Sequence, residues 1–408
     1  MNVLVLNCGS SSVKFQLIET GLELMKTGKE RVLAKGNLSK IGTIAAQVDY
    51  APTGKPVVKE VQQILDHQTA IGSIVNLLTD AKTGVVPGRD HIHAVGHRIV
   101  HGGEHFSDSV VINEDVAGTI RDCNILAPLH NPHNLRGYQM AHLALPNVPH
   151  VAVFDTAFHQ TMEPYAYLYG LPYVLYQRHA IRRYGFHGTS HRYVSDRLTQ
   201  LLGAKKDGEL KVITMHLGNG CSMAAVRGGK SVDTSMGFTP LEGLLMGTRS
   251  GDLDPAVVLH LMGCEELGVN EVNTLLNKHS GLEGLSGVSN DMREIVKAAL
   301  AGHERAGIAL DIFCYRIKKY IGAYMAALNG ADAIAFTGGI GENGVEPRRR
   351  VCANMEGLGL ILDEKRNSEM NSKEALISTD DSPTKIYIIP TNEEIVIARD
   401  TVRCVEGK

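Results

Sequence analysis

The 408-residue sequence lacks the features that define several common protein classes. It has no apolar stretch near the roughly 18 residues that a membrane-spanning helix needs, and its start, MNVLVLNCGSS, has no basic leader. Its net charge of -3 provides no electrostatic footprint for nucleic acid. These absences predict a cytoplasmic protein with neither a membrane nor a nucleic-acid partner.

Cysteine is sparse and scattered. The seven cysteines are an odd number, and no two of them form a CxxC pair. A chain of this length can bury a core without disulfides, and its 43% hydrophobic and 21% charged residues are typical of a globular protein of two or three domains. We therefore expect reduced thiols at Cys8, Cys123, Cys221, Cys264, Cys314, Cys352 and Cys404.

Two widely separated stretches share one pattern. NVLVLNCGSSSVKFQLIE reads as strand, small polar turn and strand, and KVITMHLGNGCSMAAVRGGKSV repeats this arrangement around its own glycines. Two such hairpins predict a duplicated domain. No low-complexity linker separates the halves, so we place the boundary by motif, near Phe154.

Further along the chain, DIFCYRIKKYIGAYMAALNG has the apolar period of a helix and is predicted to end at a glycine. ADAIAFTGGIGENG then predicts a strand that enters a glycine-rich turn. KIYIIPTNEEIVIARDTV predicts strand, turn and helix. These elements indicate an α/β fold.

Glycine-rich turns after buried strands present backbone N–H groups to phosphates. Three such turns together favour nucleotide binding, although each alone is more often a plain structural turn. None is a Walker A loop, and none matches GxGxxG followed by a ribose-binding acid.

A metal cluster is an alternative in HAVGHRIVHGGEHF, where histidines recur every four residues as they do on one helix face. The glycines of this stretch and the strand-like AVGHRIV argue against a helix, so we attribute the spacing to chance. Arg98 differs, since its apolar neighbours suggest burial, and a buried arginine needs a substrate anion or an internal carboxylate. The four histidines are His93, His97, His101 and His105.

Nine motifs occur in the order found in acetate kinases, and the sequence resembles that family over essentially its whole length. They are NCGSSSVKF, HRIVHGG, APLHNPHN, VAVFDTAFHQTM, RRYGFHGTSH, HLGNG, MGTRSGDLDP, FTGGIGEN and PTNEE. The resemblance implies two duplicated RNase H-like domains of the actin and hexokinase type, with a nucleotide cleft between them. It implies an N-terminal domain of residues 1–154 plus 393–408, for the acid and Mg²⁺, and a nucleotide-binding domain of residues 155–392.

The implied reaction transfers a phosphoryl group from ATP to acetate, so two anions must meet and charge neutralisation dominates catalysis. By resemblance, Arg98 and Arg249 flank the phosphoryl group and the acetate carboxylate, to which their planar forks are suited. His187 is implied to stabilise the same group, which makes RRYGFHGTSH a predicted catalytic loop. His130 is implied to contribute more weakly, or else to order the proline-containing loop around it.

Asp155 ends the apolar strand HVAVFD, and the family pattern makes it catalytic. Acetate, like a glutamate side chain with a pKa of about 4.3, is ionised near pH 7 and requires no general base. We therefore expect Asp155 to orient an arginine or the hydration shell of the metal. The resemblance assigns Mg²⁺, with Mn²⁺ as a substitute, to Asn7 and Glu393. Alternatively, Glu393 is an ordinary acid at a helix N-terminus.

ATP or ADP is the implied co-substrate, and the sequence departs from expectation only at Cys221 and Met223, where smaller or β-branched residues would suit the local packing. The residues implied to bind the nucleotide are Ser10, Ser12, Lys14, His216, Leu217, Gly218, Asn219, Gly220, Asp291, Met292, Arg293, Gly339, Ile340, Gly341, Glu342 and Asn343.

A pocket for the methyl group of acetate is implied at Val100, Leu129, Phe186 and Pro240. Propionate kinases resemble this chain but carry alanine at the position of Val100, so valine favours acetate over propionate. We expect ligand binding to close the two domains. The family is typically homodimeric, and the sequence does not set the direction of the reversible reaction between acetate and acetyl phosphate.

Other functions remain as alternatives. A kinase for propionate or another short-chain fatty acid would share the same motifs. A sugar kinase of the superfamily needs an aspartate base, a role open to Asp155, and a chaperone-like or actin-like ATPase acts through protein partners. Neither of the last two predicts the arginines of HRIVHGG and MGTRSGD.

Overall fold

The computed structural model describes residues 1–203 and 209–407. The chain divides into two compact units. Unit 1 is Met1–Phe158 with Asn392–Lys408, and unit 2 is His159–Thr391.

Unit 1 is built on a mixed sheet in the order β5-β4-β3-β2-β1-β6-β8-β7. Its strands are β1 (Asn2–Cys8), β2 (Ser12–Glu19), β3 (Arg31–Ser39), β4 (Thr43–Pro52), β5 (Val58–Ile64), β6 (Ala94–Ile99), β7 (Val110–Val111) and β8 (His150–Phe154). Its helices are α1 (Leu22–Thr27), α2 (His67–Thr79), α3 (Glu114–Asp122), α4 (Asn131–Ala144) and α16 (Glu393–Glu406), with short 3₁₀ turns at Arg89–His91 and Cys123–Ile125.

Unit 2 has a sheet in the order β11-β10-β9-β12-β14-β13. Its strands are β9 (Lys211–Leu217), β10 (Cys221–Arg227), β11 (Lys230–Thr234), β12 (Ala333–Thr337), β13 (Ala375–Leu376) and β14 (Lys385–Ile388). Its helices are α5 (Pro164–Tyr167), α6 (Tyr173–His179), α7 (Gly188–Leu202), α8 (Pro255–Cys264), α9 (Val269–Lys278), α10 (Gly281–Ser286), α11 (Met292–Leu300), α12 (Glu304–Leu328), α13 (Gly338–Asn343), α14 (Val345–Cys352) and α15 (Glu364–Glu369). A 3₁₀ turn at Ala157–Thr161 contains the boundary between the units in the sequence, and another lies at Glu356–Leu358 in unit 2.

The two sheets contain the same five-strand core. In unit 1, β3-β2-β1 are antiparallel neighbours, and β1, β6 and β8 are parallel. In unit 2, β11-β10-β9 are antiparallel, and β9, β12 and β14 are parallel. The predicted duplication and both predicted hairpins are confirmed at the level of strand order. Because ligands bind beyond the carboxyl ends of parallel strands, these ends are where a site is expected in each unit.

The core of unit 1 lies between the sheet and the helices α2 and α4. It combines the alternating inward residues of β1 to β4 with Ile71, Ile74, Val75 and Leu78 of α2. On the other side of the sheet, α16 packs against β1, β6 and β8. Gly96 of β6 permits this packing, because a Cβ there would lie 2.4 Å from the Thr401 hydroxyl oxygen.

Several local predictions need correction. The predicted catalytic loop RRYGFHGTSH becomes helical at Gly188, because its hydroxyls and imidazoles find buried partners on neighbouring strands. The proline-containing segment around His130 is likewise the start of α4, and the turn in FTGGIGEN is the helix α13. The long helix α12 ends one residue before a left-handed Asn329 and not at a glycine.

Four broader expectations can be compared with the structure. His97 lies in strand β6, so the four-residue histidine spacing does not place these rings on one helix face. All seven cysteines are free. Cys221 and Met223, which depart from the expected pattern, are both fully buried on β10. Among the described residues, no helix is long and apolar enough to cross a membrane.

Candidate active site

Arg98 and Asp155 form a bidentate ion pair in unit 1. Arg98 lies on β6, and Asp155 directly follows the parallel strand β8. Nε of Arg98 donates to Oδ1 of Asp155 at 3.0 Å, and Nη2 donates to Oδ2 at 2.6 Å. The aspartate side chain is 2% exposed and that of the arginine 22%. Asp155 therefore holds Arg98 in one orientation and leaves part of it accessible to an anion.

Glu393 and Lys14 belong to the same group of charges. Burial alone lowers the pKa of Arg98, but the negative charges of Asp155 and Glu393 outweigh it, and the pKa is raised. Burial also raises the pKa of Glu393, with the charge of Asp155 adding to the effect and those of Arg98 and Lys14 opposing it. A carboxylate in this setting gains from any cation that binds beside it.

Glu393 and Asn7 carry oxygen donors of the kind that a hydrated divalent cation binds. Asn7 lies near the carboxyl end of β1, opposite Lys14 in the β1–β2 register. Its side chain carries an amide oxygen. In the described ranges, no group of three or more His, Cys, Asp or Glu side chains could hold a metal ion. Mg²⁺ commonly uses one or two protein oxygens and completes its shell with water and substrate phosphates. Asn7 and Glu393 match that requirement.

Two asparagines of α4 position the segment after β6, and sequence reasoning did not identify them. Oδ1 of Asn134 accepts from the Val100 N–H at 3.0 Å, and its Nδ2 donates to the Cys8 carbonyl at 2.8 Å. Oδ1 of Asn131 accepts a hydrogen bond from the N–H of His101, and its Nδ2 donates one to the carbonyl of His101. The signal lies in HNPHN, where two asparagines three residues apart share one helix face.

His187 is the centre of the site in unit 2. It precedes α7 with a left-handed backbone, φ 57° and ψ 26°, which is uncommon outside glycine and concentrates at functional sites. Its ring stacks on His216 with the centroids 4.3 Å apart, and its Nδ1 lies 2.8 Å from Oγ of Ser222. A Cβ on Gly220 would lie 3.6 Å from Nε2, so this nitrogen faces the glycine turn.

Arg249 approaches the same turn. A Cβ on Gly220 would lie 3.4 Å from Nη1 of Arg249, and Nη1 donates to the Pro240 carbonyl at 3.2 Å. No carboxylate pairs with Arg249 in the part of the chain that the structure describes. Burial lowers the pKa of Arg249, against a weaker opposite effect of Cys221. Arg249 is thus a half-buried cation for which an anionic ligand would supply the counter-charge.

A cavity of about 860 Å³ opens beside these residues in unit 2, and this volume suits a nucleotide. Its walls come from the β9–β10 turn, the start of α11, and α13 with α14. The lining residues are Gly218, Asn219, Asn290, Asp291, Met292, Arg293, Val296, Gly339, Ile340, Asn343, Gly344, Val345, Glu346 and Pro347. Sequence reasoning missed Asn290, Val296 and the residues from Gly344 onward, because no recognised motif marks them.

Other residues predicted to bind the nucleotide lie elsewhere. Ser10, Ser12 and Lys14 belong to the first hairpin, in unit 1. Leu217 and Gly341 are buried. Glu342 accepts hydrogen bonds from the N–H groups of Gly338 and Thr391, so it fixes α13.

The four predicted walls of the acid pocket are divided between the units. Val100 and Leu129 lie in unit 1, and Phe186 and Pro240 lie in unit 2. Val100 and Phe186 are buried, whereas Leu129 is 63% exposed. His130, the weaker catalytic candidate, is half-buried at the N-cap of α4.

These features define a class of protein. Unit 2 has a nucleotide-sized cavity and, beside two stacked histidines, an arginine that pairs with no carboxylate among the described residues. Unit 1 has a second arginine, which a buried aspartate fixes. Such features are typical of an enzyme that transfers phosphoryl groups from nucleotides.

Comparison with known proteins narrows this class. Residues 2–399 match the Acetokinase family. The acetate kinase of Acetivibrio thermocellus is 53% identical over 407 residues, covering 100% of each chain. The crystal structure of Porphyromonas gingivalis acetate kinase aligns with a TM-score of 0.93 at 47% identity, covering 99% of this chain and 100% of that one. The crystal structure of a propionate kinase from Francisella tularensis subsp. tularensis aligns with a TM-score of 0.89 at 42% identity, covering 98% of this chain and 98% of that one. The chain belongs to the acetokinase family, and the resemblance inferred from its motifs is confirmed.

Proposed function

We propose that this chain is an acetate kinase, which uses ATP and Mg²⁺ to phosphorylate acetate reversibly to acetyl phosphate. The convergence of Arg249 and His187 at Gly220, next to the nucleotide-sized cavity, carries the proposal. A transferring phosphoryl group placed there would receive charge and a hydrogen bond from fixed donors. The full-length similarity to proteins named acetate kinases supports acetate as the acceptor.

The transfer requires no proton movement. An acetate oxygen attacks the γ-phosphorus, and the bond from that phosphorus to the ADP oxygen breaks, with both the attacking and the leaving oxygen anionic. We assign Arg98 to the acetate carboxylate and Arg249 to the phosphoryl oxygens. Asp155 acts by orienting Arg98, since its carboxylate is fully engaged with that arginine.

His187 donates to the phosphoryl group, and His130 is assigned a weaker contact. When bound, Mg²⁺ would neutralise charge on the nucleotide phosphates. The residues that would hold it are Glu393 and Asn7. We assign the acid and metal to unit 1 and the nucleotide cavity to unit 2, with the first hairpin adding Ser10, Ser12 and Lys14.

One assay tests the function. Purified protein is incubated with MgATP and hydroxylamine, with acetate, propionate or glucose as acceptor, and both acyl hydroxamate and ADP are measured. We expect hydroxamate with acetate and less with propionate, and neither product from an Arg249→Ala control. ADP release with glucose and no hydroxamate would indicate a sugar kinase instead.

We also propose that the protein is a homodimer. Helix α8 has no buried residue although its sequence, PAVVLHLMGC, is apolar, and Leu259 is 72% exposed. Exposed apolar patches of this kind mark interaction surfaces. Light scattering should give twice the chain mass for the wild type and a smaller mass for Leu259→Glu. A monomeric wild type would contradict the proposal.

A further inference from the structure

A chain of side-chain hydrogen bonds leads from Thr214 to His187 inside unit 2. Oγ1 of Thr214 lies 2.7 Å from Nδ1 of His191, and Nε2 of His191 lies 2.7 Å from Oγ of Ser222. The same Oγ lies 2.8 Å from Nδ1 of His187. Thr214, His191 and Ser222 are 0% exposed. This hydrogen-bond relay of Thr214, His191 and Ser222 joins β9, α7 and β10, and it ends on the ring of His187, which is assigned to the phosphoryl group.

The protons of this chain have two consistent arrangements. Each hydroxyl can both donate and accept, and a neutral imidazole has one donor and one acceptor. Burial, with the neighbouring His159 and His216, lowers the pKa of His191 well below its ordinary value, so its ring is neutral.

In the first arrangement, Thr214 donates to Nδ1 of His191, whose Nε2 donates to Ser222. Ser222 then donates to Nδ1 of His187, whose own proton sits on Nε2. In the second arrangement every donor becomes an acceptor, and His187 carries a proton on Nδ1.

The hydroxyl proton of Thr214 favours the first of these two arrangements. Within residues 1–203 and 209–407, His191 is the hydrogen-bond partner of its hydroxyl and no other is present. The first arrangement uses the hydroxyl proton, whereas the second leaves it buried without an acceptor. One such unmade hydrogen bond disfavours the second arrangement by roughly ten- to a hundredfold.

We propose that Thr214, His191 and Ser222 are positioning residues that hold His187 as the neutral tautomer with its proton on Nε2. This nitrogen faces Gly220, so its N–H is directed at the place where the proposed function puts the phosphoryl group. The role in transfer therefore rests on the proposed function, but the tautomer does not. A donor already in place needs no reorganisation when charge develops.

The other groups around His187 also disfavour a second proton on its ring. The amino end of α7 is positive, and a cation there is unfavourable. Further positive or titratable neighbours surround the relay, namely the stacked His216, Arg249 at Gly220, and His159, whose ring centroid is 5.6 Å from that of His191.

The first test uses the unmodified protein. The full chain is labelled with ¹⁵N-histidine, and the His187 signals are assigned by their loss in His187→Gln. We expect at neutral pH one protonated nitrogen, Nε2, and one unprotonated nitrogen, Nδ1. A proton on Nδ1, or on both nitrogens, would overturn the proposal. If Nε2 carries the proton but no acetyl phosphate is formed, the relay stands and the proposed function fails.

The second test compares Thr214→Val with Thr214→Ser. Valine removes the donor, so reversing the chain no longer strands a hydroxyl proton, and His187 should take up its second proton about one pH unit higher than in the wild type. Serine keeps the hydroxyl and should leave this pH unchanged. In Thr214→Val we also expect kcat to fall while KM for ATP and acetate changes little. Identical titration of His187 in both variants would refute the relay.

Discussion

Nη2 of Arg98 lies 2.6 Å from Oδ2 of the buried Asp155. This pair compensates the charge of Arg98 before any substrate arrives. Arg249, by contrast, has no carboxylate partner in the described part of the chain, and burial lowers its pKa. Asp155 therefore holds Arg98 in a fixed direction. The charge of Arg249 is not compensated by a carboxylate of the described residues, so it is available to an incoming anion.

Removal of either arginine should be severe for catalysis. We expect Arg98→Ala and Arg249→Ala each to lower kcat at least a hundredfold, because loss of one preorganised donor costs about 3 kcal/mol in the transition state. ADP release at saturating acetate measures this. Lysine variants keep the charge without the planar fork and should fall between alanine and wild type. A near-normal kcat in either alanine variant would remove that residue from the mechanism.

The same two arginines should affect stability in opposite ways. Arg98→Met leaves the Asp155 carboxylate buried without its partner, and such losses typically cost about 3 to 5 kcal/mol. Arg249→Met removes a half-buried cation that has no carboxylate partner among the described residues, so the melting temperature of this variant should stay level or rise. Thermal unfolding without ligands compares them. The double variant Arg98→Met/Asp155→Asn should recover part of the loss, and equal losses in both single variants would contradict the argument.

Sequence pattern predicted the parts of the fold whose order is local. The β1–β2 and β9–β10 hairpins and the helix α12 follow directly from apolar periodicity. The segment RRYGFHGTSH shows where this fails. It has no aliphatic residues and its motif predicts a catalytic loop, yet it enters the helix α7 with Phe186 and His191 buried. His191 can be buried because Thr214 and Ser222 supply its polar partners from distant strands.

The site residues divide along the same line. Arg98, Asp155 and His187 stand in motifs that resemble a known family, so they could be named from sequence. Asn134 could not, because its role is visible only when its side chain is seen between the backbones of Val100 and Cys8. The cavity wall from α14 likewise depends on tertiary packing and not on any local motif.

Acid should weaken the fold through a buried histidine pair in unit 1. Nε2 of His97 lies 2.9 Å from Nδ1 of His150, and burial lowers the pKa of His150 to about 4 and also lowers that of His97. In the unfolded chain both rings titrate near pH 6.5. Below that pH the unfolded state binds protons that the folded state does not, so stability is complete above about pH 7 and falls toward pH 4.

At pH 5, His150 alone should cost about 2 kcal/mol of the free energy of unfolding. Urea unfolding at neutral pH and at pH 5 measures the loss. His150→Gln should flatten this pH dependence, whatever its effect on the stability at neutral pH. The exposed His179 offers a matched control, and His179→Gln should leave the slope as it is. An unchanged slope in His150→Gln would show that other groups govern acid stability.

Gly338 and Gly339 are adjacent but should respond differently to a side chain. Gly338 has φ +74°, and a Cβ on it would lie 2.8 Å from the Leu217 carbonyl oxygen. Gly339 lines the cavity, and a Cβ on it would meet nothing within 4 Å. We expect Gly338→Ala to destabilise the fold by more than about 1 kcal/mol. Gly339→Val should raise KM for ATP about tenfold with little change in melting temperature. If KM for ATP stays constant in Gly339→Val, the cavity is not the nucleotide site.

Val100 should set the preference between acetate and propionate. It is buried directly after β6, and the bond from its N–H to Asn134 fixes its backbone, so a shorter side chain would enlarge the space without moving the chain. One methylene in an apolar pocket is worth about 1 to 3 kcal/mol, so Val100→Ala should raise the kcat/KM of propionate relative to acetate about ten- to a hundredfold.

If Val100 is instead only a core residue, the variant will lose stability and the ratio will not change. Leu129→Ala is the matched control, since this residue is also a proposed wall but is largely exposed and should alter the ratio less. Measuring the ratio and the melting temperature for all three proteins decides between a specificity residue and a packing residue.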